Sequence, residues 1–168
     1  MRGVLRLSVF VCLAAGGAAA QDLPYSDAAT ADCIAAAPGT MEKRACIGAS
    51  ADACMAAAPD GGTTVSMGGC LDRELSFWDG VLNANYQSAR ARARETDAEM
   101  QRIGASVQGL EAALRDMQRA WIAYRDATCE FERAQWGGGT GGGPAVVDCL
   151  MRMTGAQALY LGDASLGN

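Results

Sequence analysis

Histidine is absent from all 168 residues. That excludes Ser-His-Asp triads, Cys-His dyads and histidine-based metal sites together. Aromatic residues are scarce at 6% and charged residues stand at 20%, so the 50% counted as hydrophobic is largely small alanine. Positive charge is short as well, with 14 Lys and Arg against 19 Asp and Glu and a net charge of −5. An acidic chain is a poor match for nucleic acid or an anionic membrane, since both need a basic footprint. Past the N-terminus no stretch is apolar enough to cross a bilayer, and no strand-like alternation occurs. The composition favours a binding protein over an enzyme, with no cofactor or metal.

What is present begins with an export signal over residues 1–20. Arg2 and Arg6 make a basic start, Leu7 to Ala15 is almost wholly apolar, and Ala18-Ala19-Ala20 offers a cleavage site before Gln21. Cys12 follows Val11, where lipid attachment would want a smaller residue. Cleavage removes two arginines, so the net charge of −5 becomes −7 in the mature chain. The expected product is a soluble protein, periplasmic or secreted, with no membrane insertion once the signal is gone.

Export changes how the cysteines read. Without Cys12 six remain, Cys33, Cys46, Cys54, Cys70, Cys129 and Cys149, and an even number in an oxidising compartment reads as three disulfides. Spacing alone leaves many pairings open. A weak repeat narrows them: Cys33-Ile34-Ala35-Ala36-Ala37-Pro38 returns as Cys54-Met55-Ala56-Ala57-Ala58-Pro59, each copy leading to a second cysteine. Neighbour pairs Cys33–Cys46 and Cys54–Cys70 follow, leaving Cys129–Cys149. A zinc cluster would want a Cys-x-x-Cys knuckle, which the chain lacks.

The mature chain divides into a cysteine-rich region over 21–69 and a helical domain over 70–168. The first is broken by Pro38, Pro59, Gly61-Gly62 and Gly68-Gly69 and reads as short helices and loops stapled by cystines. From Leu71 the pattern is helical: Leu71, Leu75, Trp78, Leu82 and Tyr86 recur at steps of three and four. The spacing returns in Met100, Ile103, Val107, Leu110, Leu114, Met117, Trp121 and Tyr124. Two places could hold the turn between the arms, a capping box at Thr96-Asp97-Ala98-Glu99 or the weak point Gly104-Ala105-Ser106. Folding about residue 105 sets Tyr124 opposite Tyr86 and Arg125 opposite Asn85, bringing the richest blocks together. A glycine run, 137–143, followed by Pro144 reads as a flexible linker before a short last helix marked by Val147, Leu150, Met153 or Thr154, and Leu161. The expected fold is all-α: a long antiparallel helical hairpin, a short C-terminal helix and a disulfide-stapled N-terminal region.

Two blocks carry a resemblance. Cys70 to Asp79, with Leu82, Asn83 and Tyr86, forms the first, and Gln118-Arg119-Ala120-Trp121-Ile122-Ala123-Tyr124-Arg125-Asp126-Ala127-Thr128-Cys129 the second. With Cys149 and Thr154 they make residues 70–161 resemble the LprI-type lysozyme inhibitor family of small exported bacterial helical domains. Trp78, Asp79, Leu82, Asn83, Tyr86, Gln118, Trp121, Arg125 and Asp126 are the motif positions, expected to be mostly structural. One departure stands out: Gln157 takes the place of an expected arginine. The resemblance implies a protein partner, a cationic c-type lysozyme being the candidate.

Each motif residue has a plain structural account. Trp78, Tyr86, Trp121 and Tyr124 lie on the apolar stripe, where aromatics usually form core. Arg125 could pair with Asp79 or Glu74 across the hairpin and hold its register. Arg90, Arg92 and Arg94 are interleaved with Glu95, Asp97 and Glu99, which reads as a solvated face. Catalytic templates fit poorly. Glu74 and Asp79, five residues apart, point about 140° from each other on a helix, unlike the paired carboxyls of a glycosidase cleft. Asp126 and Glu130 share a face, but Arg133 makes a surface ion pair the better reading. The glycine run has no Gly-Lys-Ser/Thr after it and no strand before it, so it is no phosphate loop. Two functions remain: an inhibitor that binds lysozyme, and an envelope structural or interaction module of the same fold without inhibitory activity.

Overall fold

The computed structural model describes residues 22–105 and 109–163. Residues 1–20, expected to be an export signal, lie outside them, as do Ser106 and Val107 of the expected turn and stripe. Among the described residues there are six helices and no strand: α1 (Ala28–Ala36), α2 (Thr40–Arg44), α3 (Ala49–Ala57), α4 (Thr64–Arg102), α5 (Leu110–Ala134) and α6 (Gly142–Asp163). The chain is all-α.

The repeat at Cys33 and Cys54 is structural. Each copy forms a nine-residue helix, α1 or α3, and each ends alike. Ala37 and Ala58 turn extended, with ψ of 126° and 135°, because the proline ring that follows clashes with a helical residue before it. Each repeat cysteine then meets its neighbour, in Cys33–Cys46 and Cys54–Cys70. The third disulfide, Cys129–Cys149, joins α5 to α6.

Helix α4 runs 39 residues, about 58 Å at 1.5 Å per residue. It starts seven residues before Leu71, so Gly68 and Gly69 lie inside it rather than in a loop. Thr63 caps it, its hydroxyl accepting from the Ser66 amide at 3.2 Å. The second glycine has a packing reason: a Cβ on Gly69 would come 2.5 Å from Leu23 Cδ1. At the far end Gly104 has φ +72°. The Ala105 amide donates to Met100 O and the Gly104 amide to Gln101 O, the bonds by which an αL residue closes a helix end. The hairpin therefore turns near residue 105. Asp97 is no start of a helix; from inside α4 its carboxylate accepts from the Leu110 and Glu111 amides at 2.7 and 3.0 Å and caps α5.

The arms do not meet along their rich blocks. They touch near the turn, where Arg90 Nε donates to Glu111 at 2.8 Å, and further along α6 packs between and beside them. Asn85, expected opposite Arg125, donates instead to the Ala158 carbonyl of α6 at 2.9 Å. Tyr124 is 64% exposed and so is not core. The cause is α6 itself, which is longer than Val147 to Leu161 suggests: it begins inside the glycine run and spans 22 residues. The run is a turn packed by a ring rather than a bare linker. A Cβ on Gly141 would meet the Trp136 ring at 2.2 Å, and Gly137 and Gly138 have positive φ.

Ala51, Leu71, Trp78, Leu82, Ala89, Ala93, Leu114, Met151, Ala158, Leu159 and Leu161 make up the core. Alanines at 89 and 93 let backbones approach closely, which explains how a chain poor in large side chains still packs. The all-α hairpin then depends on its staples. Replacing Cys129 and Cys149 together by serine should lower unfolding free energy by about 3 kcal/mol, the chain-entropy value for a loop of this size. Urea melts of oxidised wild type and the double variant measure it; equal midpoints would rule the contribution out.

Candidate functional site

The motif residues separate into a buried set and a surface set. Trp78 is fully buried in α4, and Leu82 lies in the same core. Beside them stands Glu74, whose carboxylate is completely enclosed. Its Oε1 accepts from the Thr30 hydroxyl at 2.9 Å, the Gly48 amide at 2.7 Å and Trp78 Nε1 at 3.0 Å, and Oε2 accepts from the Ala51 amide at 2.7 Å. Thr30 and Ser50 complete the cluster, each backbone amide donating to the other's hydroxyl at 3.0 Å. One carboxylate thus ties α4 to α1 and to the N-terminus of α3, where backbone amides and helix dipole favour an anion. Gly48, at φ +105°, turns its amide into this position. The expected pairing of Arg125 with Glu74 is therefore not made, because Glu74 faces the stapled region. Its role had a sequence signal: it stands three residues after Leu71 and four before Trp78, on the buried face.

The surface set centres on Arg125. Its guanidinium lies over the Trp121 ring, 5.0 Å from the centroid, an arrangement that favours both groups. Nη1 donates to the buried Thr154 hydroxyl at 3.2 Å and Nε to Asp126 at 2.9 Å. Trp121 is half-buried and packs on the core from outside. Asp79 and Arg125 line one depression of about 340 Å³ with Asp72, Leu75, Ser76 and Leu150, but no ion pair joins them; the Asp79 carboxylate accepts from Asn83 Nδ2 at 3.2 Å. Tyr86 sits apart, half-buried under the Arg90 guanidinium at 5.7 Å.

Gln157 accounts for the departure from the expected arginine. Its Nε2 donates to Gln118 Oε1 at 3.0 Å, with both side chains buried. A neutral amide pair bridges α5 and α6 at this level and places no charge there. Glu111, hydrogen-bonded by Arg90, is held below the usual carboxylate range, and Glu130 likewise by Arg133. The Arg133–Glu130 pair forms as the spacing suggested. The basic stretch is dispersed: Arg90 goes to Glu111 and Arg92 to Ser88. Among the described residues no group of three or more His, Cys, Asp and Glu side chains could hold a metal ion, and no helix is long and apolar enough to cross a membrane.

The charge is uneven. The stapled region from Asp22 to Gly69 carries six carboxylates, Asp22, Asp27, Asp32, Glu42, Asp52 and Asp60, against Lys43 and Arg44, and all six are exposed. A rigid surface of this sign can hold a cationic macromolecule.

Comparison with known proteins places the chain among relatives. Residues 54–161 match the family described as lysozyme inhibitor LprI. A Rhodobacter capsulatus protein, described as an uncharacterized 17.7 kDa protein in the puhA 5′ region, is 30% identical over 139 residues, 82% of this chain and 85% of its own length. An uncharacterized Rhizobium meliloti protein is 36% identical over 85 residues, 51% of this chain and 61% of its own. No solved structure matches the chain significantly.

Proposed function

The chain belongs to the LprI lysozyme inhibitor family, and from that premise we propose that it is exported, docks on a cationic c-type lysozyme and slows cell-wall hydrolysis without chemistry of its own. The family match carries the reading. The three disulfides support it, because they suit an oxidising compartment, and so does the exposed acid of the stapled region. A cystine-braced helical surface loses little conformational entropy on docking. The net negative charge steers encounter with a basic enzyme, and that steering weakens as salt screens it.

The test titrates purified, oxidised protein into lysozyme acting on peptidoglycan. Inhibition should fall as salt rises and change little between about pH 6 and 8, since the chain has no histidine to titrate there. Replacing Asp22, Asp32 and Asp52 by asparagine should weaken it roughly threefold to tenfold, mostly through slower association. No inhibition at about 50 μM in low salt, far above a useful Kd, would return the protein to the envelope-module reading.

A further inference from the structure

Helix α5 carries a second apolar stripe that the fold leaves uncovered. Met117, Ala120, Tyr124, Ala127, Phe131 and Ala134 follow one another at steps of three and four, exposed from Ala120 onward, with Met117 half-buried against the core at one end. That is the spacing of a coiled-coil seam. Helix α5 turns a different face to the core, with Leu114, Gln118 and Cys129. Along the stripe Tyr124 is 64% and Phe131 67% exposed, and all three alanines are exposed too. An apolar seam about 26 Å long on a rigid helix marks an interaction surface.

We propose that a second copy of this chain covers it, with the two α5 helices packed antiparallel about a twofold axis. The first support is shape. In one antiparallel register every large residue meets an alanine: Tyr124 faces Ala127 of the second copy, Phe131 faces Ala120, and Met117 faces Ala134. The symmetry repeats each contact, so one offset fills all the layers with large against small. The second support is charge. Along the solvent edge of the stripe Asp116 pairs with Arg119 and Glu130 with Arg133, acid before base in both. Antiparallel packing brings Asp116 toward Arg133 of the second copy and Arg119 toward Glu130. Parallel packing would instead turn this charged edge toward the opposite edge of the partner helix and leave these charges without partners there. Met117 also borders a groove lined by Trp121, Met153, Ala156 and Tyr160 together with Arg44 and Gln157, so the seam passes on that side into a mixed surface.

Sedimentation equilibrium of the full oxidised mature protein tests this from about 1 to 100 μM. A dimer is expected. Tyr124→Glu combined with Phe131→Glu should give a monomer that still folds and melts cooperatively, because both side chains are exposed, with a midpoint that no longer depends on protein concentration. Arg119→Glu alone sets acid against Glu130 of the second copy and should raise the dissociation constant about tenfold; adding Glu130→Arg should restore it. A wild-type monomer at about 100 μM overturns the proposal. So does a dimer that survives both glutamates, or a charge reversal that restores nothing. If wild type is monomeric and the glutamate pair abolishes lysozyme inhibition, the stripe serves the enzyme and not self-association. Dimerisation without inhibition would leave this proposal standing while removing the inhibitor reading.

Discussion

Glu74→Ala is expected to be the most damaging single substitution in the protein, costing about 4 kcal/mol or more of unfolding free energy. The carboxylate accepts four hydrogen bonds inside the fold, two from backbone amides and one each from Thr30 and Trp78. Removing it strands the Gly48 and Ala51 amides and the Trp78 indole N–H without water, and each stranded donor costs roughly 1–3 kcal/mol. Folded domains of this size have only about 5–15 kcal/mol in reserve. Glu74→Gln should cost less, because one oxygen still accepts while the new amide N–H groups face donors. Urea unfolding followed by circular dichroism orders the series: wild type, glutamine, alanine. An alanine variant within 1 kcal/mol of wild type would mean that the network contributes little.

Trp78→Ala should cost about 3–5 kcal/mol, the usual price of deleting an enclosed tryptophan. Its ring is wholly buried and meets Phe77 edge to face, centroids 5.3 Å apart. Trp121 provides the comparison. It is half-buried with Arg125 across its open face, so Trp121→Ala should cost clearly less. Because Trp78 donates to Glu74, the two alanine substitutions should couple, the double variant losing at least about 0.5 kcal/mol less than the two singles together. A Trp121 variant weaker than the Trp78 variant would invert the packing order described here. Strict additivity would mean that the indole and the carboxylate act independently.

Much of this arrangement was legible along the chain. Helical spacing from Leu71 onward, the turn near Gly104, the neighbour pairing of the cysteines and the Arg133–Glu130 pair all depend on residues close in sequence. Such patterns are expressed by local geometry, since three- and four-residue steps share a helix face whatever else the chain does. The surface motif was legible only in part. Arg125 and Asp126 were evident as candidates, but the hydrogen bond to Thr154 depends on where α6 lies. Tyr124 sits at helical spacing from Trp121 and Met117, yet spacing cannot say which of two apolar stripes on α5 is covered.

The sequence by itself determined an all-α chain without histidine chemistry, its repeat of proline-terminated helices and its acidic balance. Those follow from composition, from backbone sterics at Pro38 and Pro59, and from periodicity within single helices. Only the tertiary structure decided that α6 packs between the arms, that Gln157 meets Gln118, and that Glu74 reaches Thr30 across 44 residues. It also decided that α5 keeps a second apolar face open. Each of these is a matter of which surfaces remain when the helices close on one another. That depends on small residues admitting close approach at Ala89, Ala93 and Gly155, and on a buried carboxylate finding its donors. Neither leaves a period in the sequence.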